Sequence, residues 1–192
     1  MKSVVLFTDG ACSGNPGKGG WAALLGYQDK EKLFVGFSKQ TTNIRMELEA
    51  FIGGLSQLKE ACKVWVFSDS KFLVSMVDDR SFVSWASNGW KRKDGGPVKN
   101  QDLWQRIWEL VELHEVKMRW LPSHTKKSDG SFDTNTKNFT YESEEIVKDV
   151  MGCLGESDEK RYIFTRNDVV DRAAVFAMKN ERSGELDLGL FR

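Results

Sequence analysis

Only three of the 192 residues are cysteine, Cys12, Cys62 and Cys153, and none stands in a CxxC spacing. So sparse a set excludes a disulfide framework, argues against structural zinc and suits a reducing, cytoplasmic compartment. No stretch approaches the ~18 consecutive apolar residues of a membrane span. The apolar run in the opening MKSVVLFTDG is too short for a secretory signal, so neither export nor a membrane is expected. Lys+Arg and Asp+Glu both total 28, giving a formal net charge of zero, and bulk charge therefore carries no polyanion signature. Any surface for nucleic acid must be local. No segment repeats at solenoid periods. What is present is 40% hydrophobic and 29% charged residues with seven Trp. That composition describes a folded, globular, enzyme-sized unit with a real core, here taken as one domain over residues 1–192.

The apolar run Val4 to Phe7 stops at Asp9-Gly10 and reads as a buried strand ending in a turn. After the Gly- and Asn-rich ACSGNPGKGG loop, WAALLGYQ and KLFVGFSKQ flank a polar break and read as an antiparallel meander. From Thr42 to Lys59 the period changes to that of a helix, with Thr42 or Asn43 as N-cap. CKVWVFSDS supplies a second buried strand ending in a carboxylate, Asp69, with a helix from Ser70 to about Val77 behind it. A further helix around Leu103 to Val111, a strand from Val116 to Leu121 and a last helix near Val169 to Met178 complete the order. Between Ser123 and Arg166 the texture turns polar, with a short helix expected over Glu144 to Leu154. This marks an insertion at about 125–166, and the weakly patterned residues 180–192 read as a mobile tail.

Two strands that end in Asp9 and Asp69 with a crossover between them place both carboxylates at one sheet edge, where open α/β sheets build their sites. Glu47, in the first turn of the intervening helix, can face the same edge, and Asp171 opens the last helix. Each acid has an ordinary explanation as well. Asp after a strand is a common turn residue, and Glu early in a helix complements its dipole. Taken together, four hard oxygen donors in a chain with only two histidines favour Mg²⁺ or Mn²⁺ over zinc. Two such ions ~3.5–4 Å apart can serve both oxygens of an in-line phosphoryl displacement.

The motifs TDGACSGNPGKGGW (Thr8 to Trp21), TTNIRMELEA (Thr41 to Ala50), SDS (Ser68 to Ser70) and GGPVKNQDLWQRIWEL (Gly95 to Leu110) lie in one order. Together they resemble type 1 ribonuclease H, particularly the bacterial form, over most of residues 1–124, and the match resumes at NDVVDRAA (Asn167 to Ala174). The resemblance implies a ribonuclease H-like α/β fold. That fold is a five-stranded mixed sheet, strands 1–3 antiparallel and strands 1, 4 and 5 parallel, flanked by helices. It also implies endonucleolytic cleavage of the RNA strand of an RNA–DNA hybrid, leaving 5′-phosphate and 3′-hydroxyl ends. Asp9, Glu47, Asp69 and Asp171 match the family's ligands for two Mg²⁺ ions, for which Mn²⁺ can substitute. His124, in WLPSH, matches a loop histidine that helps proton transfer or product release, whereas His114 on the preceding helix reads as structural or surface.

By the same resemblance Cys12, Ser13, Gly14, Asn15 and Asn43 touch the hybrid near the cut strand, where the 2′-hydroxyl distinguishes RNA from DNA. Thr42 and Asn100 match a phosphate pocket for the DNA strand. Trp85 is the leading candidate for a deoxyribose channel, with Phe82 or Trp90 as additions, although aromatics at this density are as often core. Lys91, Arg92 and Lys93 would add phosphate attraction. Two features depart from the family. Trp85 and Trp90 flank Ala86-Ser87-Asn88-Gly89 where many bacterial members carry a basic cluster. His124 and Asp171 are also separated by residues 125–170 where typical members have a short loop, which closure entropy tolerates. A monomer is expected, with the insertion or the tail as places for a protein partner. Two other readings stay open: a hybrid-binding module without catalysis, and a nuclease of the same fold acting on another duplex.

Overall fold

The run Lys2–Gly14 (β1) alternates its burial targets. Val5 and Phe7 join one apolar cluster while Val4 and Leu6 join another on the opposite face. The strand Cys62–Ser68 (β4) does the same, Trp65 and Phe67 on the first face and Val64 and Val66 on the second. Such unbroken apolar runs belong to strands buried on both sides. β1 and β4 pair in parallel, Phe7 opposite Phe67, with the two rings stacked at 5.0 Å. In this computed structural model, which describes residues 1–28, 30–122 and 159–191, the two strands form the centre of a mixed sheet.

Antiparallel partners extend the sheet on one side, Gly17–Tyr27 (β2) beside β1 and Lys30–Thr41 (β3) beside β2. Glu115–Trp120 (β5) pairs in parallel with β4 on the other side. The expected arrangement of strands 1–3 antiparallel and 1, 4 and 5 parallel is thus present. The sheet has six strands, however, not the expected five. Gly184–Leu186 (β6) pairs antiparallel with β3, and a 3-10 turn at Leu188–Phe191 follows.

The residues read as a mobile tail therefore dock. β3 carries buried Leu33 and Val35 at what would be an open edge, and Leu186 and Phe191 complete that apolar layer while β6 takes up the strand's free backbone groups. Arg172 donates to the Phe191 carbonyl and Ser183 Oγ accepts from the Phe37 amide, so the tail is also held by polar contacts.

One face of the sheet is covered by Asn43–Leu55 (α1), Lys71–Asp78 (α2), Ser81–Ser87 (α3) and Gln101–Leu113 (α4). The other is covered by Glu159–Asn180 (α5). α1 ends four residues before the expected Lys59. Its Gly53-Gly54 pair allows close packing, since a Cβ at Gly53 would meet the Trp21 ring at 2.4 Å and one at Gly54 would meet Leu6 at 2.5 Å. Glycine also weakens helix propagation, and the chain turns at Ser56. α3 was not anticipated; its apolar side, led by buried Phe82, is too short to show a helical period.

α5 begins well before the expected Val169, so the insertion read as reaching 166 gives way to helix from Glu159. Tyr162, Ile163 and Phe164 are buried there, and Tyr162 Oη and Arg166 Nε each donate to Glu31 Oε1 at 2.7 Å, fastening the helix to β3. The short helix expected over Glu144 to Leu154 lies outside the described residues. No helix among the described residues is long and apolar enough to cross a membrane.

Candidate active site

The last register pair between β1 and β4 is Thr8 with Ser68. Beyond it β4 stops, while β1 continues beside β2 as far as Gly14. Asp9 and Asp69 are each the next residue, so parallel pairing brings two carboxylates abreast at the end of β4. Asp9 keeps the parity of Val5 and Phe7 and is 9% exposed. Asp69 has left the strand, and its carbonyl accepts a hydrogen bond from the Trp120 indole at 3.0 Å. Ser70 Oγ then caps α2 by accepting from the Leu73 amide.

Glu47 comes from the opposite face through a gap left by Gly10. A Cβ on Gly10 would stand 2.5 Å from the Glu47 nitrogen and 2.6 Å from the Met46 carbonyl carbon, both backbone atoms of α1. Glycine is what lets this helix touch the sheet. The Gly10 amide favours the charged forms of both the Asp9 and Glu47 carboxyls. Thr42 Oγ1 accepts from the Arg45 amide at 3.4 Å and sets where α1 begins, so Glu47, expected in the first turn, falls just past it as the fifth residue of the helix.

Carboxylate oxygens of Asp9, Glu47 and Asp69 all lie within 4.8 Å of one another. Asp171 on α5 stands beside Asp9, near enough for its charge to act on it. The structure thus gathers Asp9, Glu47 and Asp69 into one cluster and sets Asp171 next to Asp9, across the long separation in sequence. Burial foremost, and then the charges of Asp69 and Asp171, hold the Asp9 carboxyl well above the usual carboxylate range. Burial foremost, then Asp9 and Asp69, does the same to Glu47.

Crowded, buried carboxylates hold protons that a cation can replace. Among the described residues Glu47 Oε2 is buried with no hydrogen-bond partner. A buried acceptor left without a donor, inside a ring of like charges, is what a hard divalent cation would satisfy. The residues present fit such a metal, with Asp9, Glu47 and Asp69 as the inner oxygen donors and Asp171 alongside.

The expected substrate residues fall on one connected strip. Ser13, Gly14 and Asn15 are exposed at the tip of the β1–β2 hairpin, and Gly14 has φ 92. Cys12 Sγ donates to the Gly14 carbonyl at 2.8 Å and contacts the Thr41 carbonyl at 3.6 Å, tethering the tip to the residue before Thr42. Asn43 is exposed at the start of α1. Asn100 precedes α4 and accepts from Arg45 at 3.3 Å. One turn further along α4, Trp104 packs edge-on to half-buried Trp85 at 5.5 Å. Lys91, Arg92 and Lys93 are exposed on the loop after α3.

His124 lies outside the described residues. His114 is structural, buried behind α4 with Nδ1 accepting from the Cys62 amide at the end of β4 remote from Asp69. Sequence reasoning missed Gly10, Arg45 and Trp120, three residues that hold the site without belonging to its acid set. All three stand in motifs quoted above, Trp120 in WLPSH, but no motif marked its indole as a donor to the Asp69 carbonyl.

A family model described as RNase H matches residues 1–138. Ribonuclease H of Caldicellulosiruptor saccharolyticus is 47% identical over 125 residues, which is 65% of this chain and 86% of that protein. Ribonuclease H of Acetivibrio thermocellus is 50% identical over 121 residues, 63% and 81% respectively. The fold resembles the crystal structure of LC9-RNase H1, described as a type 1 RNase H with the type 2 active-site motif. That comparison has a TM-score of 0.68 at 23% identity and covers 97% of this chain and 78% of that one. It also resembles foamy viral protease-reverse transcriptase in complex with RNA/DNA hybrid, with a TM-score of 0.53 at 16% identity, covering 62% and 17%.

Proposed function

Because the chain belongs to the ribonuclease H family, we propose that it cuts the RNA strand of RNA–DNA hybrids endonucleolytically, with Asp9, Glu47, Asp69 and Asp171 as the catalytic carboxylates. The observation that carries this reading is the buried acid cluster with its partnerless Glu47 Oε2. When bound there, a pair of Mg²⁺ ions would supply activation of the attacking water and neutralisation of charge on the scissile phosphate, giving 5′-phosphate and 3′-hydroxyl ends.

The chain's own groups do the positioning. The Gly10 amide favours the charged forms of Asp9 and Glu47, and the Trp120 indole fixes the backbone from which Asp69 projects. Burial of Asp9 and Glu47 keeps water from screening the cluster, so charge developing nearby is felt strongly. The hairpin tip from Cys12 to Asn15, with Asn43, would follow the shallow minor groove and meet 2′-hydroxyls. Thr42 and Asn100 would hold a DNA-strand phosphate, and Trp85 would pack against a deoxyribose. His124 is assigned proton handling or product release by motif alone.

A labelled hybrid should be cleaved with Mg²⁺ and not with EDTA, while matched RNA and DNA duplexes are spared. Asp9→Asn should abolish the cleavage with the fold retained. Binding of hybrid without cleavage by the unmodified protein would identify a binding module instead. Cleavage of the other duplexes in preference would identify a nuclease of different substrate.

A further inference from the structure

We infer that Arg45 is a positioning residue for the DNA-strand phosphate pocket, turning Asn100 so that its amide donors are left for the substrate beside the Thr42 hydroxyl. This rests on the hybrid-cleaving reading and adds to it a residue two positions from Glu47 on the same helix.

Asn100 is the N-cap of α4, with φ 57 and ψ 36 in the left-handed region, yet its side chain makes no capping bond. An asparagine at that position ordinarily accepts from an amide of the first turn. Here the first turn of the helix holds an acid instead, the Asp102 carboxylate. The same carboxylate receives the Arg45 fork, NH2 to Oδ2 at 2.7 Å and NH1 to Oδ1 at 3.1 Å. Glu49 lies 3.8 Å from Arg45 Nε on the other side of the fork. A guanidinium gripped at two edges has little freedom left.

Arg45 NH1 also donates to Asn100 Oδ1 at 3.3 Å. A guanidinium has no acceptor, so only the carbonyl end of the Asn100 amide can face it. The amide NH2, with two donors, must then point away from Arg45. On α1 the backbone amide of Arg45 donates to Thr42 Oγ1 at 3.4 Å, which uses an acceptor of that hydroxyl and leaves its O–H to donate. Two side chains from different elements thus have acceptors occupied by one residue and keep donors for a partner. A pocket so biased selects an anion, and on a hybrid that anion is a backbone phosphate.

The test is steady-state cleavage of a hybrid in Mg²⁺ by the unmodified protein, Arg45→Ala, Arg45→Lys, Asn100→Ala and the Arg45→Ala/Asn100→Ala pair, with thermal unfolding recorded for each. Loss of one charge-assisted alignment should raise KM for Arg45→Ala roughly tenfold while kcat stays within about twofold. Arg45→Lys, which keeps the charge but not the fork, should resemble Arg45→Ala. The Arg45→Ala effect on KM should vanish once Asn100 is already alanine. A DNA strand carrying one neutral methylphosphonate, moved linkage by linkage, should reveal a position that matters to the unmodified protein and not to Arg45→Ala.

Independent, additive effects of Arg45→Ala and Asn100→Ala on KM, or no such linkage, would overturn the inference even though cleavage itself proceeds. Absence of cleavage by the unmodified protein would instead overturn the function on which it rests. Should Arg45→Ala fail to fold, Arg45→Lys carries the same comparison.

Discussion

Replacing Asp9 by Asn should stabilise the metal-free protein at neutral pH while removing its activity. Asp9 is 9% exposed, and its carboxylate lies within 4.8 Å of those of Glu47 and Asp69. At an effective permittivity near 20, two unit charges at that separation repel by about 3 kcal/mol. The protein escapes part of that cost by keeping protons, which is why the Asp9 and Glu47 carboxyls titrate above their usual range, through burial first and neighbouring charge second. A carboxyl raised in the folded state holds a proton that the unfolded chain has released. Metal-free stability is therefore greatest below the ordinary carboxylate range and is lost as pH rises from that range towards the raised native values.

Asparagine keeps the shape of Asp9 and removes its charge. The net gain at pH 7 should be about 1–3 kcal/mol, and a chain of this size shifts its Tm by about 2–4 °C per kcal/mol. Thermal unfolding in EDTA from pH 4 to 8 reads the effect, which should shrink towards pH 4. Excess Mg²⁺ should reverse the order, because a ligand at about 100 times its Kd adds about 2.7 kcal/mol to a protein that binds it. A variant no more stable than the original in EDTA at pH 7, or a gain that ignores pH, would refute the reasoning.

Gly10→Ala drives a methyl into the backbone of α1 at Met46 and Glu47, so it should cost about 1–3 kcal/mol in denaturant unfolding and lower kcat on the order of a hundredfold. Deleting residues 183–192 uncovers the β3 edge and removes buried Leu186 and Phe191. It should cost about 3–5 kcal/mol by thermal or urea unfolding, with kcat kept at temperatures where the protein stays folded. Tyr162→Phe removes one donor to Glu31 but leaves Arg166 paired with it, and should cost about 1–2 kcal/mol with no change in kcat or KM.

Much of the sheet was legible because its central strands are buried on both faces. Continuous apolar runs at Val4 to Phe7 and Val64 to Phe67 can hardly be anything else once each is closed by a turn. The tail was not legible for the opposite reason. Gly184–Leu186 is three residues long with one buried side chain, and its strand character comes from the vacancy beside β3, not from its own pattern. α3 and the early start of α5 were obscured by context as well. Tyr162, Ile163 and Phe164 are consecutive, which breaks an amphipathic period, and their helix is fixed by Glu31 far away in sequence.

The site divides along the same physical line. Asp9 and Asp69 are set abreast by a rule the sequence exposes, two parallel strands each ending in an acid. Glu47 obeys no strand rule. It arrives from the other face of the sheet, and only because position 10 has no side chain to stop α1. Asp171 comes from α5 on the face opposite α1 and stands beside Asp9. The acids therefore converge where β1 outlasts β4, a place where a carboxylate of β1 is reached from both faces and from the loop after β4. Each acid adds repulsion to the others, so the fold must supply the free energy that assembles the cluster. The tail clamp at β3, the Glu31 pairing that anchors α5 and the two-sided core beneath Asp9 are where that free energy is found.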